Sequence, residues 1–215
     1  MKHSHLFTLC LLGALTAGCS TVYYGTMETF GVHKRDLLVD GVQDARDSQE
    51  ESKEQFQSAL EEFSAVLGFE GGDLQEKYDK LSKEFERCES RAEDVHDHID
   101  NVERVAKALF KEWKTELEQY SSGELRRSSQ RKLEDTQKRY DQLIAAMKTA
   151  EAKMDPVLDA FRDQVLFLKH NLNAQAIASL QDELTSVQLN VQDLIQDMER
   201  SIQEADRFIQ SMNTL

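Results

Sequence analysis

LQEKYDKLSKEFERCESRAEDVHDHIDNVERVAKALFKEWKTELEQY, residues 74–120, decides the fold. Its inward positions are Leu74, Tyr78, Leu81, Phe85, Cys88, Ala92, Val95, Ile99, Val102, Ala106, Leu109 and Trp113, followed by Leu117 and Tyr120. The steps between them alternate four and three residues for six heptads. An α-helix turns once in 3.6 residues, so these steps draw one apolar stripe along one side of a long helix. A strand would need alternation at every second residue. Such a stripe, walled by Glu, Lys and Arg, has to be covered by other helices.

The same spacing recurs on both sides. Upstream, Leu38, Val42, Ala45, Gln49, Ser52, Phe56, Ala59, Phe63 and Val66 form a stripe whose middle is small and polar. It stops at GFEGG, residues 68–72, where glycine can supply a left-handed cap. Downstream, after YSSGE at 120–124, the stripe runs from Leu125 through Ser129, Leu133, Thr136, Tyr140, Leu143, Met147, Ala150, Met154, Val157, Phe161 and Val165 to Leu168. Ser121 or Ser122 is suited to cap it. The single proline, Pro156, falls inside this run. It predicts a kink near residues 153–155, or a break with Asp155 capping a new helix, and the unbroken phase favours the kink. HNLN, residues 170–173, predicts a turn. The last stripe is Ile177, Leu180, Leu184, Val187, Val191, Leu194, Met198, Ile202, Ala205, Ile209 and Met212.

Four helices of about 34, 47, 47 and 40 residues follow, the longest about 70 Å at 1.5 Å per residue. Three short connections make neighbours antiparallel. The expected fold is therefore all-α: an elongated antiparallel bundle, up-down-up-down, over residues 34–215. The alternative is two helical hairpins lying apart, or pairing with a second copy of the chain as a homo-oligomer.

Composition agrees. Charged residues are 31% of the chain, with one Pro and nine Gly in 215 residues, the usage of long helices. The ordered stripes exclude a disordered acidic chain.

The first residues differ from the rest. Met1-Lys2-His3 leads into LFTLCLLGALTAG, too short and apolar to be a spanning helix and suited to a secretory signal, residues 1–18. It ends LTAGCS, residues 15–20, which resembles the bacterial lipobox. The resemblance implies cleavage between Gly18 and Cys19 and acylation of Cys19 with diacylglycerol and a palmitate-like chain. Two or three chains anchor stably, since each buried methylene contributes about 0.8 kcal/mol. Ser20, where Asp would resemble an inner-membrane retention signal, implies the periplasmic face of the outer membrane. Residues 19–33 read as a lipidated tether spanning at most about 50 Å, with Tyr23, Tyr24 and Phe30 suited to a bilayer interface.

Without residues 1–18 the chain loses Lys2 and no acid, so 25 basic residues face 40 acidic ones, a net of −15. That argues against nucleic acid, which needs a basic face, and against broad adhesion to anionic lipid, so the acyl chains do the anchoring. Cys10 leaves with the signal and Cys19 carries lipid, so Cys88 is the free thiol and no internal disulfide is expected.

No catalytic, cofactor or metal residues are assigned from the sequence. In EDVHDHIDNVE, residues 93–103, His96 and His98 are two apart and face differently, while Asp94 with His98 and His96 with Asp100 are spaced to pair across one turn. Two ligands make a weak metal site. Cys88 lies in the stripe, where a cysteine is an apolar filler, and a reactive thiol needs exposure and positive charge. Gly71-Gly72 is followed by Asp73-Leu74, with no Gly-Lys-Ser/Thr and no preceding strand, which excludes nucleotide binding. KRD at 34–36 and RRSSQRK at 126–132 are basic clusters at the tethered end, placed to touch lipid headgroups. HNLNAQAIASL, residues 170–180, is poor in charge and lies at the opposite tip, a place for a partner to dock.

KRDLLVDGVQDARDSQEESKEQF (34–56) and MDPVLDAFRDQVLFLKHNLNAQAI (154–177), together with the lipobox, resemble a family of proteobacterial lipoproteins built on a domain of unknown function. The resemblance implies an envelope lipoprotein, helical throughout, and supplies no site residues. The expected role is a non-enzymatic spacer or adaptor holding a surface for an envelope protein partner. The alternative is a carrier of an apolar ligand, in a groove left by the small middle of the first helix. An enzyme using Cys88 or the His96–His98 region is the third reading.

Overall fold

The structure is a computed structural model and describes residues 33–68 and 73–214. The expected signal peptide, the Gly18–Cys19 cleavage and lipidation site, nearly all of the tether, and Gly71-Gly72 lie outside the described residues. The described residues form four helices: α1 Lys34–Leu67, α2 Leu74–Leu117, α3 Gly123–His170 and α4 Ala174–Asn213. They contain 34, 44, 48 and 40 residues. Among the described residues there is no strand.

Side chains on the connections start three of the helices. Asp73 accepts from the backbone N–H of Gln75 at 2.9 Å and of Glu76 at 3.3 Å. Ser122, one of the two serines expected to cap, accepts from Leu125 N–H at 3.4 Å. Asn173 accepts from Ala176 N–H at 3.0 Å. Each satisfies donors that a helix start leaves unpaired. Gly68 ends α1 at φ −82°, so it does not provide the left-handed cap expected of this segment. The α2 helix ends at Leu117, and Tyr120 lies beyond it, 42% exposed.

Antiparallel α1 and α2 pack together, as do α3 and α4, and the bundle closes through α1 on α4 and α2 on α3. Two separate hairpins are thereby excluded. Across the diagonal, Phe63 of α1 meets Phe161 of α3 edge to face, ring centroids 6.2 Å apart. Leu38, Phe56, Phe63, Leu81, Ile99, Leu143, Met147, Phe161 and Leu194 have no exposed surface. Each such side chain stabilises by about 1.5–3 kcal/mol when fully buried.

The stripes lie where the spacing puts them, with three adjustments. Val105 and Phe110 join the α2 core, which widens the seam to the face a four-helix bundle needs. On α4, Ser201 and Phe208 are buried at 0% and 2%, while Ile202 and Ile209 are half-buried beside them. Leu125, expected at the start of the α3 stripe, is 59% exposed. The α3 helix runs without interruption through Pro156, so the break is excluded.

Candidate functional site

The middle of α1 contains Ala45, Ser48, Gln49 and Ser52, all buried. Gln49 Oε1 accepts a hydrogen bond from Ser201 Oγ of α4 at 2.6 Å. Gln49 Nε2, Ser48 Oγ and Ser52 Oγ have no hydrogen-bond partner among the described atoms. The small residues expected to leave a groove are covered, and a polar contact between α1 and α4 stands there. Small side chains let the helices approach closely: at Gly41, a Cβ would lie 3.3 Å from Asn101 Nδ2 of α2.

Cys88 has no exposed surface. Its thiol donates to the Gln55 carbonyl at 3.5 Å. Burial pushes its pKa up to about 12, the opposite of what a nucleophile requires. Arg91 is held on Glu51 at 2.6 Å and Arg87 on Glu84 at 2.5 Å, so both are engaged elsewhere.

His96 sits on the α2–α3 seam, its Nδ1 2.6 Å from Glu151 Oε1 and its Nε2 3.5 Å from Asp100 Oδ2. The spacing anticipated Asp100; Glu151, from another helix, was invisible to it. Asp94 pairs with Arg91 at 3.5 Å. The hydrogen bond to Glu151, then the charge of Asp100, raises the His96 pKa above 6.5. Among the described residues no group of three or more His, Cys, Asp or Glu is arranged to hold a metal ion. The central position of this acidic cluster is filled by Lys148, whose Nζ lies 3.4, 3.1 and 3.3 Å from Asp100, Glu103 and Glu151.

The α3–α4 seam presents a shallow groove lined by Gln142, Ala146, Thr149, Asp197, Arg200 and Arg207. Asp197, its side chain 8% exposed, is clamped between Lys153 at 2.5 Å and Arg200 at 2.9 Å. Ion pairs of this kind fix the relative height of neighbouring helices. The exposed ones contribute about 0–1 kcal/mol each.

The two ends of the rod differ. At the α1 start, Lys34 is bound to Glu112 at 2.8 Å and Arg35 donates to the Met212 carbonyl, so the first basic cluster is used internally. The second, Arg126 to Lys132, opens α3 on exposed positions. At the opposite tip, Ala176, Ile177 and Leu180 of the charge-poor stretch are buried at 4–6%. Among the described residues, Leu166 at 51% and Phe167 at 39% are exposed near that tip, and Leu189 at 57% lies farther along α4, about 22 Å from its start. They flank the predicted stretch rather than lie in it.

No helix among the described residues is long and apolar enough to cross a membrane. The fold defines an all-α antiparallel four-helix bundle whose polar groups pair along its seams. The chain belongs to the family described as protein of unknown function, DUF2959, which matches residues 23–212. No curated protein matches it, and no solved structure does.

Proposed function

We propose that this protein is a non-enzymatic lipoprotein of the bacterial envelope, moored through Cys19 to the periplasmic face of the outer membrane and acting as a helical spacer or adaptor. The observation that carries this reading is the closed core. Four stripes cover one another along the rod, and the side chains suited to chemistry are spent on packing, as Cys88 is, or on ion pairs, as His96 is. A bundle so filled offers partners its surface and its far tip. The exposed Leu166 and Phe167 near that tip support docking of an envelope protein there. The lipobox-like LTAGCS supports the anchor, and the start of α1 at the opposite end of the rod supports a mooring away from that tip.

Feeding cells a labelled palmitate tests the anchor. The chain is expected to take up label and to fractionate with outer membranes, and Cys19→Ser is expected to abolish both. Unlabelled wild-type chain would overturn the anchored reading. A photo-crosslinking residue at position 166 or 167 tests the adaptor role. A discrete crosslinked envelope protein is expected, and its absence at both positions would overturn it.

A further inference from the structure

Half of the twelve arginines of this acidic chain are held in ion pairs. Arg46, Arg87, Arg91, Arg162, Arg200 and Arg207 each pair with a carboxylate. At the start of α3 the pattern changes. Leu125–Leu133, LRRSSQRKL, has four cations and no acid, and Arg126, Arg127 and Arg131 are exposed with no ion pair to a carboxylate among the described residues. Beside them Leu125 is 59% exposed and Tyr120 42%, although a leucine at that point of the stripe should be inside. Helical side chains lean toward the helix N-terminus, so the side chains of the first turn of α3 are directed toward the end of the rod. That turn is not loose. Trp113 of α2 donates from Nε1 to Ser129 Oγ at 2.8 Å, and Ser122 caps the helix.

This is the end at which residues 1–32 join the bundle. The Lys34–Glu112 pair sets the α1 start beside the last turns of α2, next to the basic turn. Cationic and apolar side chains fixed together, on an otherwise acidic molecule, match a surface of anionic headgroups over hydrocarbon. We infer that the α2–α3 corner, through Arg126, Arg127, Arg131, Leu125 and Tyr120, docks on the surface of an anionic phospholipid bilayer and seats the rod end-on. The choice of a bilayer rests on the anchor reading above. Glu118 and Glu124 flank the corner.

Among the described residues the buried core runs from 38 to 212, and the chain from residue 19 with Cys19→Ser contains all of it without acyl groups. Its flotation with vesicles of equal parts phosphatidylglycerol and phosphatidylcholine is compared with pure phosphatidylcholine. Binding to the anionic vesicles alone is expected, weakened by added salt. The triple variant R126Q/R127Q/R131Q is expected to lose about a hundredfold in partitioning, and Leu125→Ser several-fold, with unchanged helical circular dichroism. The control R87Q/R91Q/R162Q removes the same charge from paired positions and is expected to bind as the parent does. Equal loss in the control, retention in the corner variant, or no flotation by the parent would each overturn the proposal. Since no acyl group is present, these outcomes are independent of whether Cys19 is lipidated.

Discussion

Ser201 of α4 donates to Gln49 of α1 at 2.6 Å in the middle of the bundle, where neither residue has exposed surface. The pair is a polar contact inside an apolar seam, and its cost shows when it is half removed. Ser201→Ala leaves the Gln49 amide without a partner and is expected to lose about 1–2 kcal/mol. Gln49→Met with Ser201→Ala removes both groups at nearly constant shape and is expected to recover the parent stability or exceed it. Urea unfolding followed by helical circular dichroism measures both. A double variant weaker than the single would show that the pair contributes net stability.

Cys88 should be chemically silent. With its pKa pushed up to about 12 by burial, only about one thiol in 10⁵ is ionised at neutral pH, and the folded chain covers it. Iodoacetamide labelling mapped to the Cys88 peptide is expected to be at least about a hundredfold slower in the native protein than in denaturant. Rapid native labelling would return Cys88 to the list of functional groups.

The sequence carries information within a helix far better than between helices. Spacing in residues 74–120 placed Leu81, Phe85, Cys88, Val95, Ile99, Val102, Ala106 and Leu109 inside, and all are buried, because one helix fixes its own inner face. On α4 two phases fit the four-and-three rule, and hydrophobicity favours Ile202 and Ile209. The structure buries Ser201 and Phe208, because Gln49 supplies Ser201 with a polar partner. That register, like the Glu151 contact of His96, depends on how α1, α2, α3 and α4 are set in height. No local pattern records it. The exposed corner at Leu125 was legible as charge but not as apolar surface, since its leucine keeps the stripe's phase while the helix extends past its neighbours' cover.

His96 should titrate above 6.5. Its pKa is raised by Glu151 and then Asp100, against Lys148. A raised pKa means the protonated ring is bound more firmly in the folded chain than in the unfolded one. The stabilisation is complete below about 6.5 and is lost as pH rises through the folded value. His96 is more than half exposed, so the gain in global stability is small and the ring itself is the better reporter. NMR titration of the His96 ring is expected to give a pKa above 6.5, and Glu151→Gln to bring it back toward that value. A titration indifferent to Glu151→Gln would show that the α2–α3 contact at His96 does not persist in solution.

Pro156 lies in the α3 interior, exposed on its solvent side, between the buried Met154 and Val157. Its ring has no hydrogen to donate toward residue 152 and crowds that residue's carbonyl. The helix nevertheless continues, because Met154, Val157, Leu158 and Phe161 hold it to the core on both sides of the defect. Tertiary burial thus offsets a local cost of roughly 3 kcal/mol. The exposed ring contributes little packing, so Pro156→Ala should restore the backbone bond without opening a cavity. It is expected to raise unfolding stability by about 2 kcal/mol, read as a higher urea midpoint at unchanged slope. A lower midpoint would mean that the bundle uses the irregularity at Pro156 to fit α3 against its neighbours, and that straightening the helix costs more in packing than the bond returns.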